Sequence, residues 1–350
     1  MPSTVNNLWD SFIDFENIYR GYFSAARGKR YRNEVLSYKA KLEDNLFSLI
    51  EDLKNNNYKP LPFRRFHITN PKPREIEAPA FCDRVLHHSL DQIIEPIFEK
   101  RFINESYACR LGRGTHAAMR HVFKCTQLAK RQWGNYFVLK CDISKFFPSV
   151  NHDILKKIIR RAIWDKRLLC IIDLIIDFNS GIDGVGIPIG SLTSQLFANV
   201  YLDPLDHFLK ETCRIKFYAR YMDDFVILHN SKEYLRELLK KIETFLNERL
   251  ELKLNPKTVI FPGKHAIDFC GYRIWPTHIK PRKRTVKRAK SRMRKMVKLY
   301  KDDPKILEHA KASLVSFMGY IKHCSGRRTI RSVLKVATFK KGKKPALPDK

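Results

Sequence analysis

Three carboxylates set the chemistry open to this chain. Asp223 and Asp224 are adjacent in Tyr221-Met222-Asp223-Asp224, between Arg214-Ile215-Lys216-Phe217-Tyr218-Ala219-Arg220 and Phe225-Val226-Ile227-Leu228-His229. Aromatic and β-branched residues on both sides predict a strand, a tight turn and a strand, with the acids at the bend. Side-by-side carboxylates repel, which raises the proton affinity of one unless a cation lies among their oxygens. Asp is also common in plain turns, so the pair alone decides little. A third acid, Asp142, ends the apolar run Tyr136-Phe137-Val138-Leu139-Lys140-Cys141, which predicts a buried strand delivering a carboxylate to its end. An acid there is costly to desolvate without a partner, whether that partner is a salt bridge or a metal. Three carboxylates on two strands can hold two Mg²⁺ ions, with phosphate and water oxygens completing the shells. Such a pair suits nucleotidyl transfer, one ion activating a 3′-hydroxyl and the other stabilising the leaving triphosphate oxygen.

The elements that must carry these residues are legible as patterns. Residues 192–213 predict a long helix with Leu196-Phe197, Val200-Tyr201, Leu205 and Phe208-Leu209 on one stripe; Leu235, Leu238-Leu239, Ile242, Phe245-Leu246 and Leu250 mark a second. Strand, helix, hairpin, helix and strand give an α+β fold, an antiparallel sheet backed by helices. Upstream, Pro71, Pro73 and Asn70 punctuate two short strands in the stretch 66–79, and Asp83 opens a helix that turns Leu90, Ile93-Ile94 and Ile97-Phe98 inward. Residues 1–45 alternate apolar positions with Arg and Lys and read as a basic N-terminal extension or a solvated helical face. Residues 280–300 hold eleven Lys or Arg and no acid, with Val286, Met293, Met296-Val297 and Tyr300 interleaved, a helix with one apolar and one basic face. The apolar residues from Ala312 to Ile321 predict the core of that segment, and Lys340-Lys341-Gly342-Lys343-Lys344 a disordered, electrostatic tail.

At 350 residues the chain can bury two or three packed cores. A net charge of +31 and a pI near 9.9 indicate a polyanionic partner. Nucleic acid fits better than membrane, since no segment reaches the roughly 18 apolar residues a span requires. The start Met1-Pro2-Ser3-Thr4 shows no basic, apolar leader, so a cytoplasmic location is expected. Eight dispersed cysteines without Cys-x-x-Cys spacing predict reduced, structural thiols and no zinc module.

With Asp142 and Tyr221-Met222-Asp223-Asp224 in this order and spacing, the chain resembles a reverse transcriptase from about Leu46 to about Ser325. It is most similar to those of diversity-generating retroelements. The segment Gly186-Ile187-Pro188-Ile189-Gly190-Ser191-Leu192-Thr193-Ser194-Gln195 has Ser-Gln where group II intron and retron enzymes usually have Ser-Pro. Phe102-Ile103-Asn104-Glu105-Ser106-Tyr107-Ala108-Cys109-Arg110, the following Gly112-Arg113-Gly114-Thr115-His116, and Ile267-Asp268-Phe269-Cys270-Gly271-Tyr272 agree with it.

The resemblance implies a right-hand polymerase: interleaved fingers and palm over 46–279, a helical basic thumb over 280–335 and a tail over 336–350. It implies Mg²⁺, with Mn²⁺ as substitute, on Asp142, Asp223, Asp224 and Ile143; Lys257 as general acid; and Lys72, Arg74, Phe147, Ile189 and Gln195 around the incoming nucleotide. Phe147 would select deoxynucleotides, with Phe146 in the core. Cys270, Gly271 and Tyr272 match a primer grip, and Arg284, Lys287, Arg288 and Arg292 would track a duplex. Ile189 stands where many accurate relatives have Gln, a departure that predicts a permissive pocket near Arg74. The implied activity is error-prone, adenine-mutagenic cDNA synthesis from a template RNA. Its implied partners are deoxynucleoside triphosphates, the RNA–cDNA duplex and a small basic accessory variability protein. A group II intron-like, retron-like or antiphage-defence enzyme is the alternative, and an inactive nucleic-acid-binding protein a third reading.

Overall fold

Period-two alternation in the central strands divides the interior of the molecule in two. The computed structural model describes residues 4–69, 73–178, 184–300, 303 and 305–339. Its main sheet is antiparallel, built from β3 (Phe137–Asp142), β4 (Phe217–Tyr221), β5 (Asp224–His229) and β6 (Val259–Pro262) in the order β4-β5-β3-β6. Leu139, Cys141, Phe225 and Ile227 point to one core, which they share with helices α9 (Leu192–His207) and α10 (Lys232–Leu250). Val138, Phe217, Ala219, Val226 and Leu228 point to the other, shared with α6 (Thr115–Trp133) and a small sheet of β7 (Ile267–Phe269), β8 (Tyr272–Ile274) and β9 (Ile279–Pro281). Because both faces are covered, the strands read as nearly unbroken apolar runs. The α+β class and antiparallel sheet follow.

Around this centre lie α5 (Phe81–Glu99), α7 (His152–Arg160) and α8 (Lys166–Asp177), all in the larger core. Asp165 caps α8 by accepting from Leu168 N–H and also from Leu8 and Trp9, which fastens α1 (Trp9–Ile13) to it. The hairpin β1 (Arg64–Ile68) and β2 (Arg74–Ala78) projects as a separate two-stranded sheet. The C-terminal part is helical: α11 (Lys283–Leu299), α12 (Ile306–Ile321) and α13 (Arg327–Leu334). No helix among the described residues is long and apolar enough to cross a membrane. All eight cysteines are free thiols.

Several sequence expectations need correction. The boundary at residue 45 falls inside α4 (Leu42–Lys54), and α2 (Phe15–Ala26) buries Ile18, Tyr22, Ala25 and Ala26 in the main core. Residues 1–45 are thus not an appended basic extension: their apolar residues recur with helical, not alternating, spacing, and α3 (Asn33–Ala40) buries Val35 beside them. The boundary at 279/280 cuts β9, so the basic helix expected from residue 280 begins at Lys283, after Pro281 closes the strand. The helix expected over 192–213 keeps α-helical form to His207 and finishes in a π-helical turn, Phe208–Thr212. In α12, Val315 is 68% and Met318 43% exposed, so that helix presents part of its apolar surface to solvent instead of filling a core. The tail beyond residue 339 and Lys72 lie outside the described residues.

Candidate active site

Register brings the three acids to one place. Asp142 at the end of β3 pairs directly with Asp224 at the start of β5. The bend itself is Met222-Asp223, with Met222 in the left-handed region (φ +58°); Asp224 is the first strand residue rather than part of the turn. Ile143, buried beside Asp142, donates its N–H to the Asp223 carbonyl at 3.2 Å, so the first strand's exit and the turn are tied together.

Two side chains absent from the sequence expectations hold the acids. Lys140 Nζ donates to Asp224 Oδ2 at 3.2 Å and lies equally 3.2 Å from Oδ1. That second oxygen is buried and accepts no hydrogen bond, the ammonium being near it without hydrogen-bond geometry. Asn255 donates from Nδ2 to Asp142 Oδ2 at 3.0 Å and from its backbone N–H to the Asp142 carbonyl at 2.7 Å. Burial pushes the Asp224 carboxyl up to about 6; Lys140 opposes the shift, while the Asp142 and Asp223 charges add to it. Like charges thus crowd around Asp224, and the Lys140 ammonium partly balances them. Lys140 was legible in principle, being two residues before Asp142 and so on the same strand face.

In this arrangement no three His, Cys, Asp or Glu side chains among the described residues converge closely enough to enclose a metal ion. The donor chemistry nevertheless suits a hard divalent cation: carboxylate oxygens from two strands, one of them buried and unbonded.

The remaining predicted residues are distributed as follows. Lys257 is exposed in the turn after Asn255, its N–H donating to Asn255 Oδ1 at 3.1 Å, which puts it one residue pair away from Asp142. Phe147 is half-buried at the start of a 3₁₀ turn, and its carbonyl accepts from Ile187 N–H at 3.0 Å; Phe146 is buried in the core, as expected. Ile189 is half-buried, and its carbonyl accepts from Glu77 N–H at 2.9 Å. This joins the 186–190 segment to β2 at Glu77, whereas Arg74 is three residues away at the strand's outer end, paired with Ile68, so Ile189 does not adjoin Arg74 along the hairpin. Gly190 adopts φ +130°, and a Cβ there would lie 2.8 Å from Ile76 Cγ2 and 3.0 Å from the Glu77 carbonyl. Gln195 is exposed in the first turn of α9.

Cys270 and Gly271 (φ +48° and +87°) form the tight turn between β7 and β8, and Tyr272 is fully buried. Tyr320 of α12 donates to the Gly271 carbonyl at 2.5 Å, Tyr272 donates to the Tyr320 carbonyl at 3.0 Å, and the two rings stack at 4.7 Å. On α11, Arg284, Lys287 and Arg292 are exposed and Arg288 is half-buried.

A model of "Reverse transcriptase (RNA-dependent DNA polymerase)" matches residues 64–274. Protein YkfC of Escherichia coli is 29% identical over 279 residues, covering 67% of this chain and 72% of that protein. Group II intron-encoded protein LtrA of Lactococcus lactis is 26% identical over 249 residues, covering 66% of this chain but only 39% of LtrA. Among solved structures, a Candida albicans telomerase in complex with a telomeric RNA fragment aligns over 84% of this chain and 59% of its own, at 14% identity and a TM-score of 0.47. Since the family match takes in both acid-bearing strands, the Met222-Asp223 turn and the hairpin at Glu77, the chain belongs to the reverse transcriptase family and is an RNA-directed DNA polymerase.

Proposed function

We propose that this polymerase is the error-prone reverse transcriptase of a diversity-generating retroelement, copying a template RNA into adenine-mutagenised cDNA with the help of a small basic accessory protein. The observation that carries the reading is the segment from Ile189 to Gln195. An aliphatic side chain stands at Ile189, where an amide could otherwise hydrogen-bond the incoming nucleotide, and Ser194-Gln195 follows. A pocket that reads pairing by shape alone forfeits discrimination worth about 1 to 3 kcal/mol per polar contact.

In this reading the N-terminal helices and everything through β9 form fingers and palm, and the helices from Lys283 onward form the thumb. Asp142, Asp223, Asp224 and the Ile143 carbonyl would hold two Mg²⁺ ions, which when bound would acidify the primer 3′-hydroxyl and stabilise the leaving pyrophosphate. The chain's own groups do the rest. Asn255 fixes the Asp142 carboxylate, Lys140 partly balances Asp224, and Lys257 protonates the departing pyrophosphate. Arg74 and Lys72 meet the triphosphate, Phe147 excludes a ribose 2′-hydroxyl, and the Cys270-Gly271-Tyr272 turn receives the primer end.

Primer extension by purified protein on a defined RNA template, with products sequenced beside an Asp223→Ala control, tests the reading. Errors concentrated opposite template adenines support it. Accurate, Asp223-dependent cDNA overturns it in favour of a group II intron-like enzyme, the second reading, which the match to LtrA favours.

A further inference from the structure

An arginine in the middle of a buried strand must have its charge met inside the protein. Arg220 of β4 has no exposed surface, and neither has its partner, Asp206 of α9. Arg220 Nε donates to Asp206 Oδ1 at 2.8 Å and Nη2 to Oδ2 at 2.5 Å, a two-pronged pair that Tyr218 completes by donating to Oδ1 at 2.6 Å. The remaining arm reaches elsewhere. Nη1 donates to Asn199 Oδ1 at 3.2 Å and to the Met222 carbonyl, also at 3.2 Å. Met222 is the left-handed residue of the turn immediately before Asp223. The peptide leading into Asp223 is therefore gripped by Arg220, while the peptide leaving it is gripped by Ile143 N–H. Backbone bonds from Arg220 N–H to Glu105 and from Tyr107 N–H to Arg220, at 2.9 and 3.0 Å, hold the arginine's own strand in place.

We propose that Arg220 is the positioning residue of the Asp223 turn: its buried pair with Asp206 anchors a guanidinium whose third arm orients the Met222–Asp223 peptide, and through it the Asp223 carboxylate. A purely structural ion pair would need no bond to the turn. The inference rests on Asp223 serving the reaction as proposed above.

The test is steady-state single-nucleotide addition by the purified full chain, with thermal unfolding measured alongside. Arg220→Lys retains a charge partner for Asp206 but cannot span Asp206 and the Met222 carbonyl together. Arg220→Gln with Asp206→Asn removes both charges and leaves an acceptor for Tyr218. Tyr218→Phe weakens the pair without touching the turn. Expected is a loss of kcat of about tenfold or more in both Arg220 variants, with KM for the nucleotide within about twofold, and wild-type kcat in Tyr218→Phe. Should the Arg220 variants fail to fold, Asn199→Ala, which unsteadies the Nη1 arm and leaves the ion pair intact, is expected to lose kcat several-fold at unchanged KM. Wild-type kcat in folded Arg220 variants, or in Asn199→Ala when they do not fold, overturns the proposal. So does an equal loss in Tyr218→Phe. Full activity in Asp223→Ala would instead remove the reading on which it rests.

Discussion

The immediate surroundings of Asp224 combine a buried carboxylate, two neighbouring acids and the Lys140 ammonium, which offsets part of their negative charge. Lys140→Met removes that offset and is expected to destabilise the protein by about 1 to 3 kcal/mol in urea without divalent ions. Millimolar Mg²⁺ should restore more stability to the variant than it adds to wild type; equal gains would show that the cation does not reach Asp224. Ile189→Gln is expected to lower misincorporation while leaving extension rates within a few-fold, and an unchanged error spectrum would sink the assignment of fidelity to that side chain. At this scale the sequence was informative about the acids and poor about what surrounds them. Asp142, Asp223 and Asp224 declare themselves because carboxylates at strand ends are costly. Lys140, Asn255 and Arg220 become meaningful only once register and helix placement are known, because Asp206 and Arg220 meet although they stand fourteen positions apart in the chain.

Helix α9 runs from the Gly190 turn at β2 to the π-helical turn beyond His207. At its N-terminus Gly190 turns the chain against β2, where both the positive φ and the nearness of Ile76 oppose any side chain. At its C-terminus the Asp203 carboxylate first, and Glu211 with it, raise His207 to about 10 from an ordinary 6.5. Because the folded-state value is the higher one, His207 contributes stability in full below about pH 6.5, and that contribution disappears as pH rises toward about 10. The ring is 35% exposed, so solvent screening limits the effect to about 1 kcal/mol. Urea midpoints measured across this window should fall in wild type and change less in His207→Gln; parallel profiles would show that the ring's charge contributes nothing to stability. Element identities were largely readable from periodicity. The π-helical turn after His207 was not, since apolar spacing alone does not distinguish an inserted residue from a continuing α-helix.

Taken whole, the chain carries +31, and α11 alone presents nine Lys or Arg without an acid. Replacing Lys287 and Arg288 with Ala should weaken duplex binding and flatten the log Kd against log salt slope by about 0.9 for each phosphate no longer neutralised, as for B-form DNA. An unchanged slope would take those residues out of the interface. The N-terminal helices show why overall organisation was harder to read than local structure: their basic residues suggest an appendage, yet their buried face is what closes the main core against α5. The paired bonds between Tyr320 and the Gly271-Tyr272 turn carry a mechanical consequence. The Gly271 carbonyl accepts from the Tyr320 hydroxyl of α12 and from the Arg282 N–H that leads into α11, so the C-terminal helices and that turn form a lever. If that turn receives the primer end as proposed, a duplex of irregular width pressing on the helices would be felt there as a shift of one peptide plane. On this basis Tyr320→Phe should shorten products in single-encounter extension while sparing addition of the first nucleotide; equal product lengths would show that the lever transmits nothing.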